Sequence, residues 1–404
     1  MEQTSGVKKV VVAYSGGLDT SIILSWIKEN YNCEVIAACV DVGQGKELSG
    51  LEEKAKQTGA SKAYIIDAKK EFVTDYIYPA VKAGALYENK YYLGTALARP
   101  VIAEKIAEIV KKEKADAVCH GATGKGNDQV RFELAFKALI PKIKIIAPWR
   151  QWNIRSRQDA INYAKKRGIP IPVTKAKPYS SDANLWHISY EGGVMEDMTK
   201  EYDESMFKMS VSAQKAPNKP SYLTIDFEKG VPMALNGKKL DPVSLISTLN
   251  ETAGKNAIGR TDMVENRLVG MKSRGVYEAP AAAVLYAAHQ ELEELALDRD
   301  TLHFKQELAH KWAEIAYYGL WFSPLRQALD AFIESTQKYV TGSIKLKLYK
   351  GNIIPVSRYA KYSLYWEELA TFEEDAVYNQ KDAEGFINLW GLPSKVIAIK
   401  RNKK

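Results

Sequence analysis

The sequence predicts an α/β chain: a parallel, doubly wound sheet domain, then an α+β domain, then a C-terminal aromatic tail. Three observations carry this reading. Strand-like apolar runs alternate with helical periodicities from residue 8 to about 170, and glycine-rich segments directly follow two of the runs. The alternation then stops at Gly168-Ile169-Pro170-Ile171-Pro172, beyond which strands mix with long amphipathic helices. At 404 residues the chain also exceeds the roughly 250–300 residues at which one core divides. The expected divisions are 1–169, 170–364 and 365–404.

Lys9 to Tyr14 is a tight apolar run in which Val10, Val11, Val12 and Ala13 read as a buried parallel strand. Ile22, Ile23, Trp26 and Ile27 then repeat at helical spacing, so the Ser/Gly segment between joins a strand to a helix N-terminus. Residues 34–40 read as a strand, 48–58 as a helix stopped at Gly59, and 63–67 as another strand. After a tyrosine-rich connection, 98–112 is helical, 117–119 a strand, 129–139 helical, and 143–147 a strand closed by Pro148. Such alternation predicts a parallel sheet covered by helices on both faces, with ligands at the carboxyl ends of its strands. Further on, 222–227 reads as a strand. Val284, Leu285, Ala288, Leu292 and Leu295, and then Leu308, Trp312, Ile315 and Ala316, form core-facing helical stripes. Ile344, Leu346 and Leu348 alternate with lysines, and Gly351-Asn352 offers a two-residue turn into Ile353-Ile354. From Tyr365-Trp366 to Trp390, several aromatics crowd a stretch too short for its own core, which predicts packing on a neighbouring surface.

The segment Ser15-Gly16-Gly17-Leu18-Asp19-Thr20-Ser21 is built for an anion. Gly16 and Gly17 let backbone N–H groups turn inward, the hydroxyls of Ser15, Thr20 and Ser21 add donors, and the helix dipole adds roughly half a positive charge. The Gly-Lys-Ser/Thr ending of the common NTP-binding loop is missing. Asp19 stands in the loop instead, and a carboxylate among phosphates implies either an intervening Mg²⁺ or a hydrogen bond that holds the loop together. A second segment, Cys119-His120-Gly121-Ala122-Thr123-Gly124-Lys125-Gly126-Asn127-Asp128-Gln129-Val130-Arg131, again follows a strand and opens a helix. Its glycines permit close approach to a ligand, while Thr123, Asn127, Asp128 and Arg131 offer the groups that orient a zwitterion beside the anion of the first loop. Asn127 and Arg131, four apart, share a helix face.

Composition narrows the classes. Cys33, Cys39 and Cys119 have no metal or disulfide spacing, the five histidines do not cluster, and a zinc site is not expected. The net charge of +8 is dispersed, which suits small acidic substrates better than nucleic acid. No uncharged run approaches the roughly 18 residues of a membrane span, and no leading apolar segment follows Met1, so neither membrane nor export is expected and the location reads as cytoplasmic.

The first loop resembles the pyrophosphate loop of the ATP pyrophosphatases, which split ATP between the α- and β-phosphates to adenylylate a substrate. The two loops, in this order and spacing, resemble the argininosuccinate synthases. The likeness extends through Tyr87-Glu88-Asn89-Lys90-Tyr91, Gly94-Thr95-Ala96-Leu97-Ala98-Arg99-Pro100, Ala147-Pro148-Trp149-Arg150, Asn184-Leu185-Trp186-His187-Ile188-Ser189-Tyr190-Glu191, Val264-Glu265-Asn266-Arg267 and Gly270-Met271-Lys272-Ser273-Arg274-Gly275. It covers the chain from Lys8 to Ile397. The resemblance implies an ATP-binding sheet domain, a synthetase domain for citrulline and aspartate, a C-terminal oligomerisation segment, and a homotetramer. It also implies ligation of the two amino acids through a citrullyl-adenylate, with ATP cleaved to AMP and pyrophosphate and Mg²⁺ as cofactor. Carried over by position, Ala13, Tyr14, Ser15, Gly16, Gly17, Leu18, Asp19, Thr20, Ser21, Val40 and Gly121 hold ATP. Thr95, Arg99, Thr123, Asn127 and Asp128 match the aspartate set. Tyr91, Asn127, Arg131, Ser180, Ser189, Glu265 and Tyr277 match the citrulline set. Ser15, Asp19, Asn127 and Asp128 are the residues expected nearest the chemistry. The sequence departs from the family at Val40, often alanine, and at Ala96, serine in some relatives.

No residue stands out as a general base, and His120 reads as a structural histidine. The rival within the pyrophosphatase class is a tRNA-thiolating enzyme, which the basic charge suits but which needs cysteines poised for sulfur transfer. The non-enzymatic rival is a nucleotide-sensing module, which leaves the second loop and the second domain unexplained.

Overall fold

The computed structural model describes residues 6–154, 156–170, 179–371, 373 and 377–401. In the first part, β1 (Lys9–Ala13), α1 (Leu18–Tyr31), β2 (Glu34–Asp41), α2 (Leu51–Gln57) and β3 (Lys62–Asp67) follow in turn. Next come α3 (Lys69–Glu71), a π-helical turn (Phe72–Ile77), α4 (Tyr78–Ala83) and α5 (Gly94–Glu113). The part closes with β4 (Ala117–Cys119), α6 (Asn127–Leu139), β5 (Lys144–Ile146) and α7 (Arg157–Lys166). The five strands form a parallel sheet in the order β3-β2-β1-β4-β5. Its central strands are buried on both faces. Val11, Ile36, Ala38 and Val40 pack into one core with α5 and α6, while Val10, Val12, Val35, Ala37 and Cys39 pack into another with α1, α2 and α7. This is the doubly wound arrangement expected of an uninterrupted apolar β1.

The second part holds two antiparallel sheets. One has the order β11-β12-β7-β6, built from β6 (Ser180–Ala183), β7 (Ile188–Glu191), β11 (Arg260–Asn266) and β12 (Lys272–Glu278). The other has the order β10-β9-β8-β13-β14, built from β8 (Ser221–Glu228), β9 (Val231–Leu235), β10 (Lys238–Lys239), β13 (Gly342–Tyr349) and β14 (Asn352–Ala360). Helices α8 (Pro242–Lys255), α9 (Pro280–Ala296), α10 (Arg299–Tyr317) and α11 (Pro324–Thr336) bury the predicted apolar stripes. Short helices α12 (Glu367–Ala370), α13 (Asp382–Trp390) and α14 (Leu392–Arg401) follow, with no buried residue among them.

Several sequence expectations need correction. The tyrosine-rich connection is helical over its first half, because Phe72, Val73, Tyr76, Ile77, Ala80 and Val81 form a buried stripe. The helix expected from residue 48 starts at Leu51, since Gly50 adopts φ 72° and breaks it from a short 3₁₀ turn at Gly45–Leu48. In the hairpin, Tyr349 pairs with Asn352, so the turn residues are Lys350 and Gly351. Both have positive φ (47° and 88°), which the hairpin twist demands. Part of the expected boundary, Ile171-Pro172, lies outside the described residues, as does Phe372 of the tail.

Candidate active site

In a doubly wound sheet the ligand crevice opens where strand order reverses, here between β1 and β4. Both glycine-rich loops leave these two strands. Gly16 has φ +75°, and Gly17 then caps α1 in extended conformation with no side-chain cap bond, leaving the helix terminus to a ligand. Ser15 Oγ lies 3.1 Å from Thr20 Oγ1 and accepts from the Gly17 N–H at 3.4 Å. Gly121 brings the second loop against α1, since a Cβ there would lie 3.0 Å from Thr20 Cγ2. Between the loops is a cavity of about 300 Å³, lined by Ala13, Tyr14, Ser15, Thr20, Val40 and Gly121 of the predicted set. Leu48, Ile102 and Phe132 add apolar wall, and Gln44 a polar group, that the sequence reading did not assign. Gly16, Gly17, Leu18, Asp19 and Ser21 form the loop and first helical turn but do not line this cavity. Ser21 is buried, 3.4 Å from the Tyr14 hydroxyl.

A second cavity, about 240 Å³, adjoins the first. Tyr91, Thr95, Arg99, Thr123, Asn127, Asp128, Arg131, Ser189, Glu265 and Tyr277 all line it, so residues nearly 190 positions apart converge as the resemblance implies. Ser180 does not; it sits exposed on β6, paired in register with Glu191. Contributions come from α5 and α6 of the first part and from β7, β11, β12 and α10 of the second.

The Glu265 carboxylate, buried, accepts from the hydroxyls of Tyr277 (2.7 Å) and Tyr317 (2.8 Å). Asn127 donates to the Tyr317 hydroxyl (2.9 Å) and accepts from the Leu268 N–H (3.0 Å), tying the second loop to the β11–β12 turn. Arg131 Nε donates to the Tyr317 carbonyl at 3.0 Å and its guanidinium lies over that ring. Gly319 permits this contact: its φ is +76° and a Cβ would fall 2.8 Å from Arg131 Cα. Burial pushes the Tyr91 hydroxyl up to about 12 and raises Tyr277 and Tyr317 as well, so all three remain neutral donors.

The two cavities share one wall, with Arg99, Gly121, Ala122, Asp128 and Asp182 facing both. In it the charges alternate. Arg131 donates to Asp128 at 3.0 Å, Arg99 Nε donates to Asp128 at 2.8 Å, and Arg99 Nη2 reaches Asp182 at 2.6 Å. Burial alone would raise the Asp128 carboxyl; the two guanidinium groups outweigh it and hold it below the usual carboxylate range. Thr95 Oγ1 contacts His187 Nε2 at 3.0 Å and donates to Asp182 at 3.3 Å. His187 is buried, which lowers it to about 4, so it is neutral.

The sequence reading missed Asp182, His187, Glu191, Arg267 and Tyr317 as site residues, although the first four lie in or beside a quoted block. Their signal is topological. The 184–187 turn is pinned by Asn184, which accepts from the Trp186 and His187 N–H groups and donates to the Gly94 carbonyl at 3.1 Å. Gly94 leaves room for the His187 ring, which a Cβ would meet at 2.2 Å. Arg267 donates to Glu191 and to the Ser273 hydroxyl (2.7 Å) at the cavity rim. Partial desolvation at the rim raises the half-exposed Glu191 from its ordinary value, and Arg267 pulls against it.

His120 is satisfied structurally. It is buried, its Nε2 lies 3.1 Å from Glu133, and its Nδ1 accepts from the Ala122 N–H at 3.3 Å. Cys39 lines the first cavity, but burial pushes its thiol up to about 12, and Cys119 is raised too, which does not suit sulfur transfer. Among the described residues no cluster of three or more His, Cys, Asp or Glu could hold a metal ion, and no helix is long and apolar enough to cross a membrane.

An open α/β sheet with a glycine-rich loop at a helix N-terminus, joined through a charged wall to a second polar cavity, fits the class of nucleotide-using enzymes that bring ATP against a second small molecule. The family described as arginosuccinate synthase N-terminal HUP domain matches residues 9–170, and that described as arginosuccinate synthase C-terminal domain matches residues 179–397. Argininosuccinate synthase of Endomicrobium trichonymphae is 79% identical over 399 residues, covering 99% of this chain and 97% of that protein. Those of Carboxydothermus hydrogenoformans and Desulfitobacterium hafniense (strain DSM 10664 / DCB-2) are 63% and 62% identical, covering 97% and 98% of this chain and 98% and 99% of theirs. The chain belongs to the argininosuccinate synthase family.

Proposed function

We infer that this chain is an ATP-dependent ligase that joins L-citrulline to L-aspartate, giving argininosuccinate, AMP and pyrophosphate. The observation that carries the reading, beside the family, is the shared wall: nucleotide and amino-acid cavities meet at Arg99, Asp128 and Asp182. The ureido oxygen attacks the α-phosphorus to form citrullyl-adenylate and release pyrophosphate. The aspartate amine then attacks the ureido carbon and displaces AMP.

Within that reaction we assign the residues as follows. The loop of residues 13–21, with Val40 and Gly121, takes ATP. Arg131 suits the citrulline carboxylate through donors that Asp128 and Tyr317 leave over, and Glu265, flanked by two tyrosine hydroxyls, suits its ammonium group. Tyr91, Asn127, Ser189 and Tyr277 complete the pocket, with Ser180 outside it. Thr95, Arg99, Thr123 and Asp128 are assigned to aspartate. With every histidine near the site neutral or bonded, holding three substrates in line supplies most of the catalysis. Mg²⁺ fits the donor set without a dedicated protein cage. Asp19 is the carboxylate of the loop, and an ion that keeps several waters and binds through one or two carboxylates plus substrate phosphates does not need a protein cage. Its role when bound is to neutralise the departing pyrophosphate.

The domain division at about 170 and 365 belongs to the same reading, as does a cytoplasmic location. So does a homotetramer, supported by Trp366, Tyr378, Phe386 and Trp390, exposed by 50% or more. The mechanism is tested with citrulline carrying ¹⁸O at the ureido oxygen, which must deliver the label to AMP. Label retained in argininosuccinate, or ADP formed instead of AMP, rules it out.

A further inference from the structure

The phosphate loop carries no lysine of its own, yet a lysine reaches it from another element. Lys54, on α2, donates from Nζ to the carbonyl oxygen of Gly16 at 2.5 Å. It forms no ion pair with any described side chain, and burial lowers its ammonium from the ordinary lysine value. One turn earlier on the same face, Leu51 covers Gly16 so closely that a Cβ there would fall 2.1 Å from Leu51 Cδ2. The far end of α2 is fixed in turn, because the Ser25 hydroxyl of α1 donates to the Thr58 carbonyl at 2.8 Å. A half-buried cation with no acidic partner among the described residues is therefore aimed at the one loop residue in left-handed conformation, next to the cap of α1.

We propose that Lys54 is the lysine of this phosphate loop, supplied in space from α2: it holds the Gly16 carbonyl and sets its charge beside the pyrophosphate half of ATP. By fixing Gly16 it orients the Gly17 N–H and the terminus of α1, and its charge opposes the charge that builds on departing pyrophosphate. It forms and breaks no covalent bond, so it is a positioning residue. The inference rests on the assignment of residues 13–21 to the ATP phosphates.

The test uses the full-length Lys54→Met and Lys54→Arg proteins in citrulline-dependent exchange of labelled pyrophosphate into ATP, with pyrophosphate product inhibition and all three KM values. Loss of one charged hydrogen bond should slow exchange about tenfold to a hundredfold and weaken pyrophosphate inhibition similarly in K54M. The KM values for citrulline and aspartate should stay within about twofold, and K54R should recover most of the loss. Wild-type exchange in K54M, an equal rise in all three KM values, or a folded K54R no better than K54M overturns the proposal. Gly17→Ala separates the two readings. Gly17 has an ordinary negative φ, and a Cβ there meets only Ser15 Oγ at 3.5 Å, so the fold accommodates it. If Gly17→Ala exchanges normally, the loop assignment fails; if it is slow while K54M is normal, only the role of Lys54 fails.

Discussion

Asp128→Asn probes the wall between the cavities, because it removes one charge while keeping the shape. Asp128 accepts from Arg131 at 3.0 Å through one oxygen and from Arg99 at 2.8 Å through the other. An asparagine has one acceptor oxygen, so its amide nitrogen must face one guanidinium as donor against donor. The structure decides which. Arg99 keeps Asp182 at 2.6 Å, whereas Arg131 has no other carboxylate partner among the described residues, so the oxygen turns to Arg131 and Arg99 is displaced towards Asp182. Breaking a buried charge pair costs about 3–5 kcal/mol. The Asp128 side chain is 28% exposed through the cavities, which places the cost near the lower end, about 3 kcal/mol, shared between stability and binding.

The functional loss should therefore fall on the aspartate side. Ligation at limiting aspartate should drop about tenfold to a hundredfold, while citrulline-dependent pyrophosphate exchange, which needs no aspartate, stays within about threefold. Asp128→Ala, which strips both guanidinium groups, should damage both reactions. Urea unfolding measures the stability share, and exchange against full ligation measures the split. If Asp128→Asn abolishes exchange and leaves the aspartate KM unchanged, the wall has been read in the wrong sense.

Four further outcomes follow. Arg131→Leu should weaken citrulline binding roughly tenfold to a hundredfold and slow exchange at ordinary citrulline concentrations. Thr123→Val should exchange normally and lose only aspartate affinity, so the reverse pattern would exchange the two sites. His187 is lowered to about 4 in the folded chain, so the unfolded chain binds the extra proton first as pH falls; stability present above about 6.5 should be lost towards 4, by up to about 3 kcal/mol. Urea titrations at pH 7 and 5 on wild type and His187→Gln isolate this contribution, and equal slopes in both proteins would refute it. Deleting the chain from Tyr365 should reduce the assembly, as seen by sedimentation, without unfolding the parallel sheet.

The parallel sheet was legible because each of its signals is local. An unbroken apolar β1 and a glycine loop before a helical stripe each fit within a few residues. Positions displaced by one to three residues trace to backbone geometry, as where Gly50 delays α2 and Lys350 with Gly351 makes the turn. The amino-acid cavity was legible only through family resemblance. Nothing in the spacing of Tyr91, Arg131, Glu265 and Tyr277 brings them together; the contact of Asn127 with Tyr317 and Leu268 does. Asp182 and His187 were missed for the same reason, since an edge strand and a turn carry no periodicity that marks a polar residue as inward-facing. Lys54 belongs to this class too, because one helix must pack on another element's loop before its charge has an address.

Charge balance assigns the wall its role. Arg99 bonds Asp128 and Asp182 in the wall and Arg131, adjoining it, bonds Asp128, so the four groups sum to zero before any substrate arrives. A neutral wall does not draw in ATP, citrulline carboxylate or aspartate by net charge. Attraction must come from the uncapped helix termini at Gly17 and Gly126, from Lys54, and from the overall charge of +8. What the wall supplies is direction. Each guanidinium is already held by a carboxylate, so its remaining donors point into fixed places in a partly dry cavity and need no reorganisation when an anionic group arrives. In the proposed reaction, a wall facing both cavities would orient the attacking group on one side and the phosphorus on the other, so that positioning carries the catalysis.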